Sequence, residues 1–420
     1  MLKLRRLRIE KFRGVAPGTE LRFSDGLNVL LGQNGTGKTT LLELISMVVR
    51  SDFSSLVREE FSIEYELTVP GEATVLVAIS NKEDTSLPET KPRTAFGLPE
   101  HWHPAADITI EESSSGRRHH VRYDSDLGLI IGDGHPTGRA RELSCLQAGF
   151  LWLYMLEVAE PVAISVHHKV RRARTARRFD ESLELFTWLV GSGDARGILL
   201  VHRDETLIAE AEAHVIGVPQ ALSRRLAERY ERPRSDYTFQ HADFAFLTTI
   251  KETMRFDAAE LRVDITERQP WGEDHEMVTF GNFVFRFWWE GGEFITHTRL
   301  SYGQKRLLTF FYYLACNDDI VIADELVNGL HHHWITACVE AIGARQAFLT
   351  SQNPLLLDYV PITSPEQVHH SFVLCRGERR GGRPAWTWTN MSHEDAAEFF
   401  AAYEVGVEHV SEILQSRGLW

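Results

Sequence analysis

The stretch Gly32-Gln33-Asn34-Gly35-Thr36-Gly37-Lys38-Thr39-Thr40 has residue types and spacing suited to holding a chain of phosphates. It fits the pattern G-x-x-x-x-G-K-[ST], in which successive backbone N–H groups form an anion-binding concavity at the positive end of a helix. Asn34, Gly35, Thr36, Gly37, Lys38, Thr39 and Thr40 are therefore the candidate nucleotide-binding residues. Lys38 is placed to reach the β- and γ-phosphates, and the Thr39 hydroxyl to ligate Mg²⁺. Farther along, Ile320-Val321-Ile322-Ala323-Asp324-Glu325 is an apolar run closed by two acids, the form of a Walker B segment. Asp324 is suited to holding Mg²⁺ through water, and Glu325 to orienting and polarising an attacking water. Together these residues predict ATP binding with Mg²⁺ and hydrolysis of ATP to ADP and phosphate.

Each motif needs an element on either side to hold it. Leu27 to Leu31 is an apolar run ending at the loop, and Leu41, Leu42, Leu44, Ile45 and Val48 recur at helical spacing after it, so the context reads strand, tight loop, helix from about 38 to 50. Upstream, Leu7 and Ile9 alternate with charged neighbours in a strand that ends at Phe12-Arg13-Gly14. Phe61 to Leu67 and Thr74 to Ile79, broken by Pro70-Gly71, predict an antiparallel hairpin. Residues 81–143 are rich in Pro, Gly, Ser and His, with a short strand pair at 108–110 and 120–123. Helical spacing around 146–158, 181–190, 206–230 and 244–261 predicts a mostly helical middle without the sustained heptads of a long coiled coil. Strands resume at 277–289 and 293–297, followed by a helix at 302–316, a strand at 320–323, a helix at 333–342 and a strand at 347–350. A hairpin, 371–376 with 385–389, surrounds a basic turn, and a final helix starts at the cap-like Ser392-x-x-Asp395 and runs toward 419.

The segment Leu300-Ser301-Tyr302-Gly303-Gln304-Lys305 resembles the signature sequence of the ATP-binding-cassette ATPases, usually Leu-Ser-Gly-Gly-Gln. The resemblance implies that Ser301, Tyr302, Gly303 and Gln304 face the γ-phosphate of ATP held by the opposite protomer, a helix start meeting an anion. Tyr302 departs from the usual Gly, and a side chain there either crowds the phosphate or stacks on a neighbour. Phe12-Arg13-Gly14 and the turn Asn328-Gly329-Leu330-His331 resemble the RecF, SMC and OLD-like branch of that superfamily, and the resemblance adds Arg13 to the ATP-binding residues. It also implies a switch His after the strand that follows Walker B. Here Thr350-Ser351-Gln352-Asn353-Pro354 puts Gln352 at that position, able to donate a hydrogen bond to the γ-phosphate but not to titrate, which implies slow turnover. Gln147 is the candidate for the family's Mg²⁺-touching loop Gln. The resemblance covers residues 1–80 and 277–360, and the ending is similar to stand-alone ATPases of bacterial antiphage systems.

Lys and Arg number 45 against 59 Asp and Glu, and the net charge of −14 argues against a protein that coats nucleic acid indiscriminately. A local basic run, Lys169, Arg171, Arg172, Arg174, Arg177 and Arg178, is the candidate for phosphate or acidic-partner binding, against the plainer reading of a solvated surface segment. No run approaches a membrane span and the N-terminus lacks an apolar signal region, so a cytoplasmic protein without a membrane partner is expected. The four cysteines are isolated, and His331-His332-His333 points in different directions around a helix start, so no metal centre of that kind is expected. Trp288-Trp289 and Trp386-x-Trp388 read as sheet packing before base stacking.

The expected architecture is an α/β P-loop NTPase of ABC-type head, with a mixed sheet formed by both ends of the chain (1–80 and 277–420) and an insertion at 81–276 that is mixed and then mostly helical. ATP is expected to close a homodimer or higher homo-oligomer that acts on DNA or on a separate effector chain, a nuclease or toxin, in antiphage defence or genome maintenance. The rival expectation is a nucleotide-gated scaffold with little turnover, which Gln352, Tyr302 and the acidic charge favour.

Overall fold

The computed structural model describes residues 1–86, 101–124, 128–131, 146, 161–173, 178–180, 186–187, 189, 196–202, 207–209, 217–273, 275–289, 291–350, 354–360, 362–380, 382–405, 410 and 412. The chain divides into two compact units, the first made of Met1–Arg178, Asp319–Ala323 and Ala344–Trp420, the second of Phe179–Asp318 and Asp324–Gly343.

The first unit contains two sheets. In the seven-stranded antiparallel sheet the order is β2 (Thr19–Arg22), β1 (Lys3–Phe12), β4 (Phe61–Val69), β5 (Ala73–Glu83), β6 (Trp102–Glu112), β7 (Arg118–Asp124) and β8 (Gly128–Ile131). Buried and part-exposed residues alternate along β4 and β6, as a period of two demands of a sheet with one covered face. The Pro70-Gly71 break turns β4 into β5 with Val69 opposite Ala73. The five-stranded sheet runs β15 (Ile320–Ala323), β16 (Gln346–Thr350), β3 (Leu27–Leu31), β17 (Phe372–Arg380) and β18 (Arg383–Asn390). Its first four strands are parallel, and β15, β16 and β3 are buried at every residue, which is why they read as unbroken apolar runs.

Helix α1 (Lys38–Arg50) contributes Leu41, Leu42, Leu44, Ile45, Val48 and Val49 to one core shared with the inward faces of both sheets. Buried amides lock the strands in place. Gln346 on β16 accepts from Leu4 N–H at 2.8 Å and donates to Leu4 O at 2.8 Å and Ser24 O at 2.7 Å. Asn390 and Arg22 exchange two 2.8 Å bonds that join the edge strands β18 and β2.

In the second unit the sheet order is β10 (Leu207–Ala209), β9 (Gly197–His202), β13 (His275–Trp288), β12 (Ala258–Trp271) and β11 (Asp236–Gln240), with β14 (Ile295–Thr296) paired to β13. The middle of the chain thus holds more strand than its helical spacing predicts. The helix expected over 244–261 (α4, Ala245–Met254) stops at Met254, where Arg255 takes a left-handed φ of 57° and its N–H caps Glu252 O and Lys251 O. Ala258 onward then pairs with β13 and β11, which buries Leu261 and Val263 on alternate residues. Likewise, among the described residues of 206–230, Leu207–Ala209 is a strand and Gln220–Arg229 a helix (α3). The expected limits at 80 and 276 fall inside β5 and β13. Among the described residues, two helices have no counterpart in the sequence reading: α2 (Pro161–Ala173), with Pro161 at its first position and Val166 and Val170 in the core, and the short helix Pro365–Ser371, capped by Ser364. The helices expected at 146–158 and 181–190 lie mostly outside the described residues.

Candidate functional site

The loop at 32–37 leaves the carboxyl end of β3, the middle strand of its sheet, and α1 begins at Lys38. Gly37, the N-cap, has φ 84°, and Gly32 has φ 149° with Cys375 O only 2.2 Å from where a Cβ would sit. Both positions therefore require glycine. The Lys38 side chain is buried and folds back into the loop, donating to Gly32 O at 2.7 Å and Gln33 O at 3.1 Å. Thr36 Oγ1 donates to Gln33 O at 2.7 Å and closes the turn. Thr39 is exposed and Thr40 half-buried at the helix start, while Asn34 and Gly35 are exposed. An ammonium that, among the described residues, donates to neutral carbonyls, at a helix N-terminus without a side-chain cap, is a cradle that fits an anionic phosphate chain. Burial pushes the neighbouring Cys375 thiol up to about 12 against the pull of the Lys38 charge, so no thiolate competes for that ammonium.

Arg13 has φ 47° and a guanidinium engaged by Glu59 at 3.0 Å and by Glu43 of α1 at 3.4 Å. Those carboxylates raise its already high pKa, through the Glu59 hydrogen bond first. Arg178, at 3.6 Å, reaches the same Glu43. In the basic run, Lys169 bonds to Glu72, so both members whose side chains are described are matched by acids; the side chains of Arg171, Arg172, Arg174 and Arg177 lie outside the described residues.

Asp324 and Glu325 follow directly on β15. β15, β16 and β3 run parallel, so the 32–37 loop leaves at the carboxyl edge of its sheet, where ligands of open α/β sheets bind. Gln352 and Gln147 lie outside the described residues. Both acids are buried. Asp324 N–H donates to Phe179 O at 2.7 Å, and Glu325 sits at φ 52°, a left-handed conformation that costs a non-glycine residue energy and persists only where its surroundings enforce it.

Arg306, which sequence reasoning passed over, supplies that enforcement. It is 0% exposed on α5 (Tyr302–Cys316) and donates to Glu325 O at 2.7 Å, Leu326 O at 3.2 Å and Asp180 O at 3.1 Å. Its guanidinium lies 5.0 Å from the Phe179 ring centre and 5.9 Å from that of Tyr302. Replacing it with Met strips charged donors from three carbonyls, so Arg306→Met is expected to destabilise the protein by roughly 2–4 kcal/mol in urea denaturation. An unchanged midpoint would show that the Glu325 turn holds itself.

Ser301 is the N-cap of α5 in a full capping box: its Oγ accepts from Gln304 N–H at 3.4 Å, and Gln304 Oε1 accepts from Ser301 N–H at 2.9 Å. Gly303 is buried against Gly329 O, 2.8 Å from a Cβ position. Tyr302 packs on the turn that follows Glu325. Its ring covers Gly329, where a Cβ would lie 2.7 Å from Cε1, and it remains 48% exposed. His331, His332 and His333 are exposed, and among the described residues no group of side chains could hold a metal ion. Nor is any helix of the described residues long and apolar enough to cross a membrane.

A family model described as "AAA domain" matches residues 6–92, and one described as "AAA domain, putative AbiEii toxin, Type IV TA system" matches residues 170–358. The DNA replication and repair protein RecF of Shewanella loihica is 50% identical over 44 residues, and that of Shewanella piezotolerans 52% over 44; each match spans 10% of this chain and 12% of the relative. Among solved structures, an SMC head bound to the C-winged helix domain of ScpA aligns with TM-score 0.41 and 11% identity, over 93% of this chain and 98% of that one. The SMC head domain from Thermotoga maritima aligns with TM-score 0.34 and 12% identity, over 93% and 99%. With two AAA-domain matches on either side of residues 93–169, and a strand, phosphate loop and helix at the centre of a mixed sheet, this chain carries the P-loop ATPase domain in a mixed α/β head.

Proposed function

We propose that the chain is an ATPase of the RecF/SMC/OLD-like kind that works in the cytoplasm, binds ATP with Mg²⁺ at the 32–40 loop, dimerises on ATP and gates a partner effector. The observation that carries this reading is the buried Lys38 ammonium, folded into a loop of positive-φ glycines at the carboxyl end of β3. When bound, ATP supplies the γ-phosphate and Mg²⁺ neutralises charge on it. Lys38 binds the β- and γ-phosphates, Thr39 and Asp324 hold the ion, and Glu325 orients and deprotonates water. Ser301, with Gly303 and Gln304, serves the nucleotide of a second copy.

The described match over 170–358 favours an effector of toxin type over direct action on DNA, for which the short RecF-like segment is the support. Phosphate release with and without DNA tests the choice: turnover that DNA leaves unchanged favours the effector, and stimulation favours DNA. If the missing imidazole limits the rate, Gln352→His should raise it, by up to roughly a hundredfold, the lower end of what general acid–base groups contribute. A lower rate would show a site built around Gln. The scaffold reading draws on Tyr302, whose half-exposed ring stands where the signature usually has Gly. Nucleotide-dependent association without measurable phosphate release would decide for it.

A further inference from the structure

A peptide unit is planar and carries its N–H and C=O on opposite sides, so a loop that offers amides to phosphate must send the carbonyls of those same units elsewhere. In this chain two of them have dedicated donors on a distant strand. Trp386 Nε1 donates to Gly35 O at 3.0 Å, and Trp388 Nε1 donates to Thr36 O at 3.1 Å. The two tryptophans are two residues apart on β18 and so share a face; their rings stack with centroids 6.0 Å apart and planes within 11°. Gly37 lies against the pair, where a Cβ would come 2.8 Å from Trp386 Cδ2 and 3.0 Å from Trp388 Cζ2. Gly377, opposite Trp386 on β17, admits Thr36 equally closely, with Thr36 Cα 3.1 Å from its Cβ position.

Trp386 is itself fixed at both ends of its peptide groups. Its N–H donates to Gly14 O at 2.7 Å and its O accepts from Ala16 N–H at 2.9 Å. Trp388 is fully buried in the core. Packing alone would explain two indoles against a glycine loop, but not that both N–H groups end on consecutive carbonyls of that loop.

We propose that Trp386 and Trp388 are positioning residues of the phosphate site. Their N–H groups hold the Gly35 and Thr36 carbonyls toward the β17–β18 hairpin, and peptide planarity then turns the Thr36 and Gly37 amides the opposite way, toward the α- and β-phosphates of the nucleotide. The proposal deepens the nucleotide-binding reading and rests on it. Because ADP and ATP share those two phosphates, the indoles set affinity for both alike, whereas Lys38 also serves the γ-phosphate.

The test uses Trp386→Phe and Trp388→Phe, which keep an aromatic ring and lose the donor. Binding of fluorescent ADP and ATP analogues by anisotropy should weaken roughly three- to tenfold in each variant, the loss expected for one neutral hydrogen bond, with the ratio of the two affinities unchanged. Equal affinity in wild type and Trp386→Phe would overturn the proposal. Should Trp388→Phe fail to fold, Trp386→Phe, whose ring is partly exposed, carries the test. Hydrogen exchange of the indole N–H groups in nucleotide-free wild type is independent of ligand. Both should be protected, and fast exchange of both would refute the clamp even in a protein that binds ATP well. Protected indoles in a protein that binds neither nucleotide would instead remove the nucleotide reading, and this role with it.

Discussion

Lys38→Ala is expected to weaken ATP and ADP binding by roughly a hundredfold or more, while Glu325→Gln binds ATP as wild type does and loses hydrolysis by roughly a hundred- to ten-thousandfold. In the proposed reaction the two side chains do different work. Lys38 neutralises phosphate charge in the ground state, from a buried position where its partners among the described residues are the neutral carbonyls of Gly32 and Gln33. A phosphate chain is a far stronger partner for that ammonium than a pair of carbonyls. Glu325 acts on water during the reaction, so its replacement by a neutral isostere leaves binding intact. Arg306 continues to hold the backbone carbonyl of residue 325 in the Gln variant, since that bond does not involve the side chain. Equilibrium binding and single-turnover phosphate release separate the two effects. Equal nucleotide affinity in wild type and Lys38→Ala would remove the loop from the site altogether.

Glu325→Gln is also expected to double in mass with ATP and Mg²⁺ but not with ADP, and Ser301→Arg added to it should prevent the change. One P-loop leaves the γ-phosphate open on one side, and the exposed start of α5 offers N–H donors, a hydroxyl and a positive dipole that match it. Ser301 Oγ accepts a long 3.4 Å bond from its own helix, and Ser301 is exposed. Hydrolysis removes the bridging phosphate, so an enzyme stalled before hydrolysis accumulates closed. An arginine at 301 puts a bulky side chain at the contact. Light scattering decides it: constant mass in both nucleotides, or a Ser301→Arg protein that closes normally, would discard the trans contact even with ATP binding confirmed.

Local sequence carries whatever consecutive residues can do by themselves. The phosphate loop is legible because glycines, lysine and threonine at set spacing, bracketed by an apolar run and a helical period, form a nest without help from afar. The same holds for α5, whose observed start at Tyr302 is dictated by the Ser301–Gln304 capping box, and for the fully apolar strands of the parallel sheet. Periodicity reports which face is covered but not what covers it. That is why Ala258 to Leu261 reads as helix and folds as strand, the outcome being set by β11 and β13 on either side.

The support of the site was hidden for the same reason. Trp386 and Trp388 meet the loop across 351 and 352 residues of chain, and in the sequence they are two aromatics in a hairpin. Arg306 reads as one more basic residue on an amphipathic helix, yet it is fully buried, with three backbone carbonyls brought together by the fold accepting from its two Nη atoms. The left-handed turn at Glu325 follows from that arginine and has no signal in the residue type. Residue types and spacing in the chain point to contact with phosphate, which needs only neighbours along the backbone. What holds those groups in place is settled by the fold, because a buried donor finds its acceptor through packing, at any distance in sequence.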